Sequence, residues 1–126
     1  MRAAVALSAL ACIAAFTGTA DAAQIASPAI YGSVAQTLAF CIIYNGGTTS
    51  VTVTVKLLDE SGDALTNVNN GCAGKLAAGE FCSVSKGVGN GVAFACTATA
   101  GSVTNLRGTM TLQDNNDNTI RTAPLR

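Results

Sequence analysis

Four cysteines, Cys41, Cys72, Cys82 and Cys96, follow a leader-like N-terminus. They restrict what the rest of the chain can fold into more than any other feature. An even number of cysteines in an exported chain implies two disulfides, with three connectivities open. Position selects among the three. Cys72 and Cys82 lie symmetrically about Ala77, so a hairpin turning there brings them face to face. Cys41 and Cys96 sit mid-strand in the two most apolar segments, 55 positions apart, a span that suits a bridge between two packed sheets. The expected pairs are therefore Cys41–Cys96 and Cys72–Cys82. A structural zinc site would want closely paired thiolates, and a dithiol oxidoreductase a C-x-x-C spacing. No two of these four cysteines are closer than ten positions, so staples are the expected role.

The N-terminus supplies the compartment that disulfides require. Met1 and Arg2 form a short positive region, and Ala3 to Phe16 is apolar apart from Ser8. The stretch closes on Thr17-Gly18-Thr19-Ala20-Asp21-Ala22, with small residues where a signal peptidase reads. A run of fourteen positions is too short to cross a bilayer core, which takes about 20. Residues 1–22 are thus expected to be a cleaved signal helix, and residues 23–126 a single domain, secreted or periplasmic, with no transmembrane segment in the mature chain. Ala9-Leu10-Ala11-Cys12 also loosely resembles a lipoprotein cleavage box. Its leucine is one place late and the apolar run continues beyond it, so lipidation of Cys12 stays the lesser alternative.

Beyond residue 24 apolar residues recur with period two. Val51, Val53, Val55 and Leu57 alternate with Thr52, Thr54 and Lys56, and β-branched side chains of this kind fit a pleated, half-buried surface. Thr37 to Tyr44 is apolar on both faces, as a strand between two packed layers would be. Asn45-Gly46-Gly47-Thr48 separates these two strands and has the composition of a tight hairpin turn. Further strands are expected near Ala64–Val68, Phe81–Lys86, Val92–Thr99, Asn105–Leu112 and Thr119–Pro124, joined by turns at Asp59-Glu60-Ser61-Gly62, Leu76 to Glu80, Gly87 to Gly91 and Asp114 to Asn118. About seven short strands at even spacing make an all-β, immunoglobulin-like antiparallel β-sandwich.

Composition narrows the chemistry. The chain has no histidine, which removes imidazole bases and ligands and with them most triads and zinc sites. Seven basic side chains balance seven acidic ones, and charged residues make up only 11%. No surface for nucleic acid is expected from such a balance. Ser83-Val84-Ser85-Lys86 has the S-x-x-K spacing of serine acyl-transfer enzymes, but residues three apart on a strand face opposite ways. Asp114, Asn115, Asp117 and Asn118 crowd one loop, and Asp59, Glu60 and Asp63 another. Calcium is the functional alternative there, turn formation the simpler one, since neither loop has the ligand pattern of an EF-hand. Glu60 and Glu80 are the only glutamates, and both sit beside turn glycines. Tyr31 and Tyr44 are the candidates for stacking against a sugar, with Tyr44 expected half-buried. No catalytic residue, cofactor or metal is expected.

Three segments together carry a resemblance. Ile43-Tyr44-Asn45-Gly46-Gly47-Thr48 running into Val51–Leu58, then Leu76-Ala77-Ala78-Gly79-Glu80, then Ala95-Cys96-Thr97-Ala98-Thr99 are similar to bacterial immunoglobulin-like modules of the CARDB type. With its closing Leu106-Arg107-Gly108 and Pro124-Leu125-Arg126, the mature chain also looks like small secreted proteins of Gram-negative bacteria. The resemblance covers most of residues 38–112 and lies in turn chemistry. CARDB-type modules usually recur within large surface proteins and lack this cysteine set. It implies a non-catalytic binding or structural module with a protein or envelope partner, and transfers no catalytic residue. The alternative is a subunit of a cell-surface fibre or envelope assembly that pairs through a strand edge. A small secreted enzyme or inhibitor has no residue-level support.

Overall fold

The computed structural model describes residues 22–126; the expected signal helix up to Asp21 and Cys12 lie outside the described residues. Ten strands follow in order: β1 (Ala23–Ala26), β2 (Ile30–Tyr31), β3 (Leu38–Asn45), β4 (Val51–Leu58), β5 (Asn69–Asn70), β6 (Lys75–Leu76), β7 (Phe81–Gly87), β8 (Ala93–Ala100), β9 (Leu106–Gln113) and β10 (Thr119–Leu125). They form two antiparallel sheets, ordered β1-β8-β4-β6 with β2 also on β8, and β10-β9-β3-β7-β5. No helix occurs among the described residues, and the two sheets share one buried cluster between them. The architecture is an all-β sandwich.

The alternating pattern does what period two requires. Val53, Val55 and Leu57 of β4 meet Ala98, Ala100 and Phe94 of β8 and Ala39, Ile43, Met110 and Leu112 of the facing sheet in that cluster, while Thr52, Thr54 and Lys56 face solvent. Cys41 is disulfide-bonded to Cys96, with a Cα separation of 5.9 Å. Both are fully buried. The bond joins β3 and β8, each of which lies inside its own sheet with neighbours on both sides. Cys72 is bonded to Cys82, with Cα atoms 5.0 Å apart. The register of β5 on β7 pairs Asn69 with Ser85 and Asn70 with Val84; carried two residues on, it sets Cys72 opposite Cys82. The turn at Ala77–Glu80 is closed by Glu80 N–H donating to the Ala77 carbonyl at 3.2 Å, with Gly79 at φ +77°, the glycine position of a type II turn.

Three expectations need correcting. First, Asn45-Gly46-Gly47-Thr48 does not make a hairpin, because β3 and β4 belong to different sheets and the chain crosses between them. Neither glycine has positive φ among those that do. They are needed for room: Gly46 donates to the Asn105 carbonyl at 2.9 Å, and a Cβ on Gly47 would stand 3.3 Å from the Asn105 side chain. Second, Ala64–Val68 is not a strand; Ala64 makes a single bridge to Leu58, and pairing resumes only at β5. Third, β3 is not covered on both faces. Its outward residues Leu38, Phe40, Ile42 and Tyr44 carry no second layer, and Ile42 and Tyr44 are exposed. The pairing of β1 and β2 with β8 went unforeseen. Their short segments lack alternation and are held by β8 from outside, with Ser27 accepting from Cys96 N–H at its Oγ, 2.9 Å away.

Two buried amides fasten the ends of β3. Gln36, just before it and 1% exposed, accepts from Gly32 N–H at 2.7 Å and donates through Nε2 to the carbonyls of Gly89 at 3.0 Å and Val92 at 2.6 Å. Asn45, its last residue, accepts from Gly47 N–H and donates to the carbonyls of Thr49, Leu76 and Ala77, at 2.9–3.2 Å. Each amide therefore replaces the water that loop backbone groups would otherwise need. Replacing Gln36 by Leu leaves two carbonyls and an N–H without partners. It should lower stability by about 1–3 kcal/mol, read as a fall in the urea midpoint with unchanged slope. Gly108 of β9 is equally constrained, since a Cβ there would meet Ile43 at 2.8 Å and Leu125 at 2.9 Å. Gly108→Ala should cost about 1–3 kcal/mol by overpacking; an unchanged midpoint would show that the two side chains can step aside.

Candidate functional site

The outer face of the β10-β9-β3-β7-β5 sheet carries Ile42, Tyr44 and Phe81, three of the five exposed large apolar side chains among the described residues. Of the five aromatic residues beyond Ala22 (Tyr31, Phe40, Tyr44, Phe81 and Phe94), only Phe94 is buried in the core. Phe40 and Tyr44 lie on the outward side of β3 with Leu38 and Ile42, giving a continuous apolar row along one strand. Tyr44 is directly opposite Phe81 of β7 in the register, while Ile42 faces Ser83 and Phe40 faces Ser85. On the other flank Ile42 faces Thr109 of β9 and Phe40 faces Thr111. The result is an apolar ridge bordered by rows of hydroxyls. Its exposure is greatest at one end, where Ile42, Tyr44 and Phe81 are 38%, 44% and 74% accessible. Of the charged side chains only Arg107, opposite Tyr44, stands in these outward rows of β3, β7 and β9.

At that same end of the sandwich a cleft of about 330 Å³ opens between the β3–β4 and β8–β9 loops. Asn45, Thr49, Ser50, Ser102 and Asn105 line it together with glycines and the ends of Val51 and Leu106. None of these lining groups titrates near neutral pH. The cleft can offer hydrogen bonds, but it holds no acid–base pair and no activated nucleophile of its own.

The remaining sequence candidates do not converge. Ser83 and Lys86 lie on β7, so the strand turns them to opposite faces, and Lys86 Nζ donates instead to the Thr66 carbonyl. Glu60 lies beyond the C-terminal end of β4, whereas Glu80 lies in the turn beside Asn45. The length of β4, roughly 26 Å at strand rise, separates those ends. Tyr31 and Tyr44 are both exposed, but they belong to different sheets and make no common platform.

The two acidic loops are built alike. Asp59 Oδ1 accepts from the N–H groups of Ser61 and Asp63 at 2.9 and 3.0 Å. Asp114 Oδ1 accepts from those of Asn116 and Asn118 at 2.8 and 3.0 Å. Each carboxylate is turned onto its own turn, and Gly62 and Asp117 take the positive φ that closes it, +86° and +62°. Among the described residues no group of three or more His, Cys, Asp or Glu side chains could hold a metal ion, and no helix is long and apolar enough to cross a membrane. No protein-family model, curated protein or solved structure matches the chain.

The row on β3 was legible as apolar but not as exposed, because alternation does not tell which of two apolar faces is covered. The buried roles of Gln36 and Asn45 were only partly local: Gly32, Gly47 and Thr49 lie within four positions, but the other carbonyls they hold lie up to 56 positions away. Asp114 yields a pH test. The Asn118 side-chain amide first, then the backbone N–H groups of Asn118 and Asn116, hold its carboxyl below the ordinary value. A depressed folded-state pKa contributes stability that is present above the unfolded value of about 3.9 and is lost as pH falls through the folded one. Wild type should therefore exceed Asp114→Asn in urea midpoint at about pH 6. That advantage should shrink as pH falls below the unfolded value and through the folded one. A gap independent of pH would show that the carboxylate's charge contributes nothing.

Proposed function

We propose that this protein is a secreted or periplasmic, non-catalytic binding module. In this reading residues 1–22 are removed as a signal peptide, and the sandwich is immunoglobulin-like. The apolar ridge of Leu38, Phe40, Ile42 and Tyr44 with Phe81 is its contact surface. What carries the reading is the placement of the aromatic residues. A chain with a small core and no tryptophan keeps a single aromatic inside and puts a row of large apolar groups on a solvated sheet face, where a sandwich ordinarily carries polar residues. Contiguous exposed apolar surface of this kind marks an interaction site. Tyrosine and phenylalanine, rigid and large, are suited to anchoring one.

The immunoglobulin-like assignment is supported by the Cys41–Cys96 bond, which links inner strands of facing sheets over a separation of 55 residues, as the inter-sheet bond of that fold does. The two buried disulfides fit an oxidising compartment. The face is a better contact surface than an edge. On β10 the outer strand carries Pro124 and exposed Arg121, and proline removes a donor that an added strand would need. Along β4, β6 pairs Val51 and Thr52 and the Leu58–Ala64 bridge covers the far end, so only Val53 to Lys56 is left between them.

A photo-cross-linking phenylalanine analogue at position 81, in protein exported by its own host, should give a covalent adduct. The same analogue at position 54, on the outer side of the opposite sheet, should give none. Tyr44→Ser should reduce the adduct at position 81 several-fold without changing the far-ultraviolet spectrum. Equal labelling from both positions, or from neither, would remove the basis of the proposal.

A further inference from the structure

We infer that the occupant of the β3 face is a second copy of this chain, the two sheets packing face to face about a two-fold axis. This rests on the reading of the ridge as a contact surface and names its partner.

An isologous interface requires a patch that is complementary to itself. Most surface patches fail because a charge on one copy meets the same charge on the other. Here the outward positions of β3 and β7 carry Leu38, Phe40, Ile42, Tyr44, Phe81, Ser83 and Ser85, and those of β9 carry Thr109 and Thr111 besides Arg107. A ridge with hydroxyl rows on both flanks can meet its own image without opposing charges, and Arg107 lies at one end of the row, beside Tyr44. With the two β3 strands running opposite ways, the arginines are carried to opposite ends of the contact. Successive outward side chains along a strand stand about 6.6 Å apart, wide enough for a second row to seat between them at the sheet-packing distance of about 10 Å.

The size is adequate. Eight residues of β3 span about 26 Å, and four strands from β10 to β7 span about 20 Å with side-chain margins. That is roughly 500 Å² of flat face per copy, or about 1,000 Å² for the pair before side-chain relief is added. A specific interface begins at about that area. The outcome is a weak, reversible dimer, and a different macromolecule on the same face is the competing outcome.

Sedimentation of the mature, oxidised protein from about 1 μM to about 1 mM tests this with three variants. Wild type should pass from monomer to dimer across the range. Ile42→Arg sets like charges against each other across the axis, and Phe81→Ser removes an anchor that is 74% exposed and outside the core. Each should weaken association at least about 30-fold, with the urea midpoint within error of wild type. Thr54→Arg, on the other sheet's outer side, should leave the dimer intact. Dimerisation that survives Ile42→Arg would overturn the inference, because the contact would then lie elsewhere. So would a wild type that stays monomeric throughout. If that monomer still cross-links from position 81 to a different protein, the contact-surface reading stands and only the second copy is lost; if it cross-links to nothing, both fall.

Discussion

The bond between Cys41 and Cys96 is what the rest of the structure leans on. It ties β3 to β8, and every other strand of the sandwich reaches one of these two directly or through one neighbour. On the loop-entropy model a bridge closing 55 residues contributes on the order of 4 kcal/mol, and the bridge from Cys72 to Cys82 about 3. A domain of this size has only about 5–15 kcal/mol of net stability. Alanines are among the same-face neighbours of the bond, Ala39 on β3 and Ala98 on β8, while Val84 and Met110 stand across from Cys41 and Leu57 across from Cys96. Where a larger sandwich would place a tryptophan against its inter-sheet bond, this one closes the sheets around the bond itself.

That economy inside is connected to what lies outside. Because covalent staples and two satisfied amides hold the ends and the middle of β3, the aromatic residues are not all needed as filling. Phe40, Tyr44 and Phe81 can then stand on the surface without leaving the core empty. The same strand is therefore both the structural spine, through Gln36, Cys41 and Asn45, and the carrier of the apolar ridge. A contact made on its outer side is made against a strand fastened at both ends and at its middle, which favours affinity by limiting the cost of ordering the surface.

Chemistry at the surface is correspondingly plain. The described residues bring together hydroxyls, amides and apolar side chains, and they keep the carboxylates apart or turned onto their own turns. Asp59 and Asp114 illustrate how acidic clusters in a sequence become turn architecture. In each, one carboxylate oxygen receives two backbone N–H groups, and the residue that would have looked like a ligand becomes a cap.

Local pattern determined much of this molecule. Alternation at Val51–Leu57 made a strand with a known inner face, the symmetry of Cys72 and Cys82 about Ala77 marked a turn, and the lack of histidine removed most catalytic designs. These features are local, or depend on residue type alone, so they can be read without knowing where the chain goes. Tertiary structure decided the rest. Whether Asn45-Gly46-Gly47 closes a hairpin or crosses between sheets depends on which strands compete for β3, and β7 and β9 occupy both of its sides. Whether Phe40, Ile42 and Tyr44 are core or surface depends on whether a third layer exists to cover them. Neither outcome is encoded in the neighbouring residues, because hydrogen-bond partners and covering layers come from segments distant in the chain.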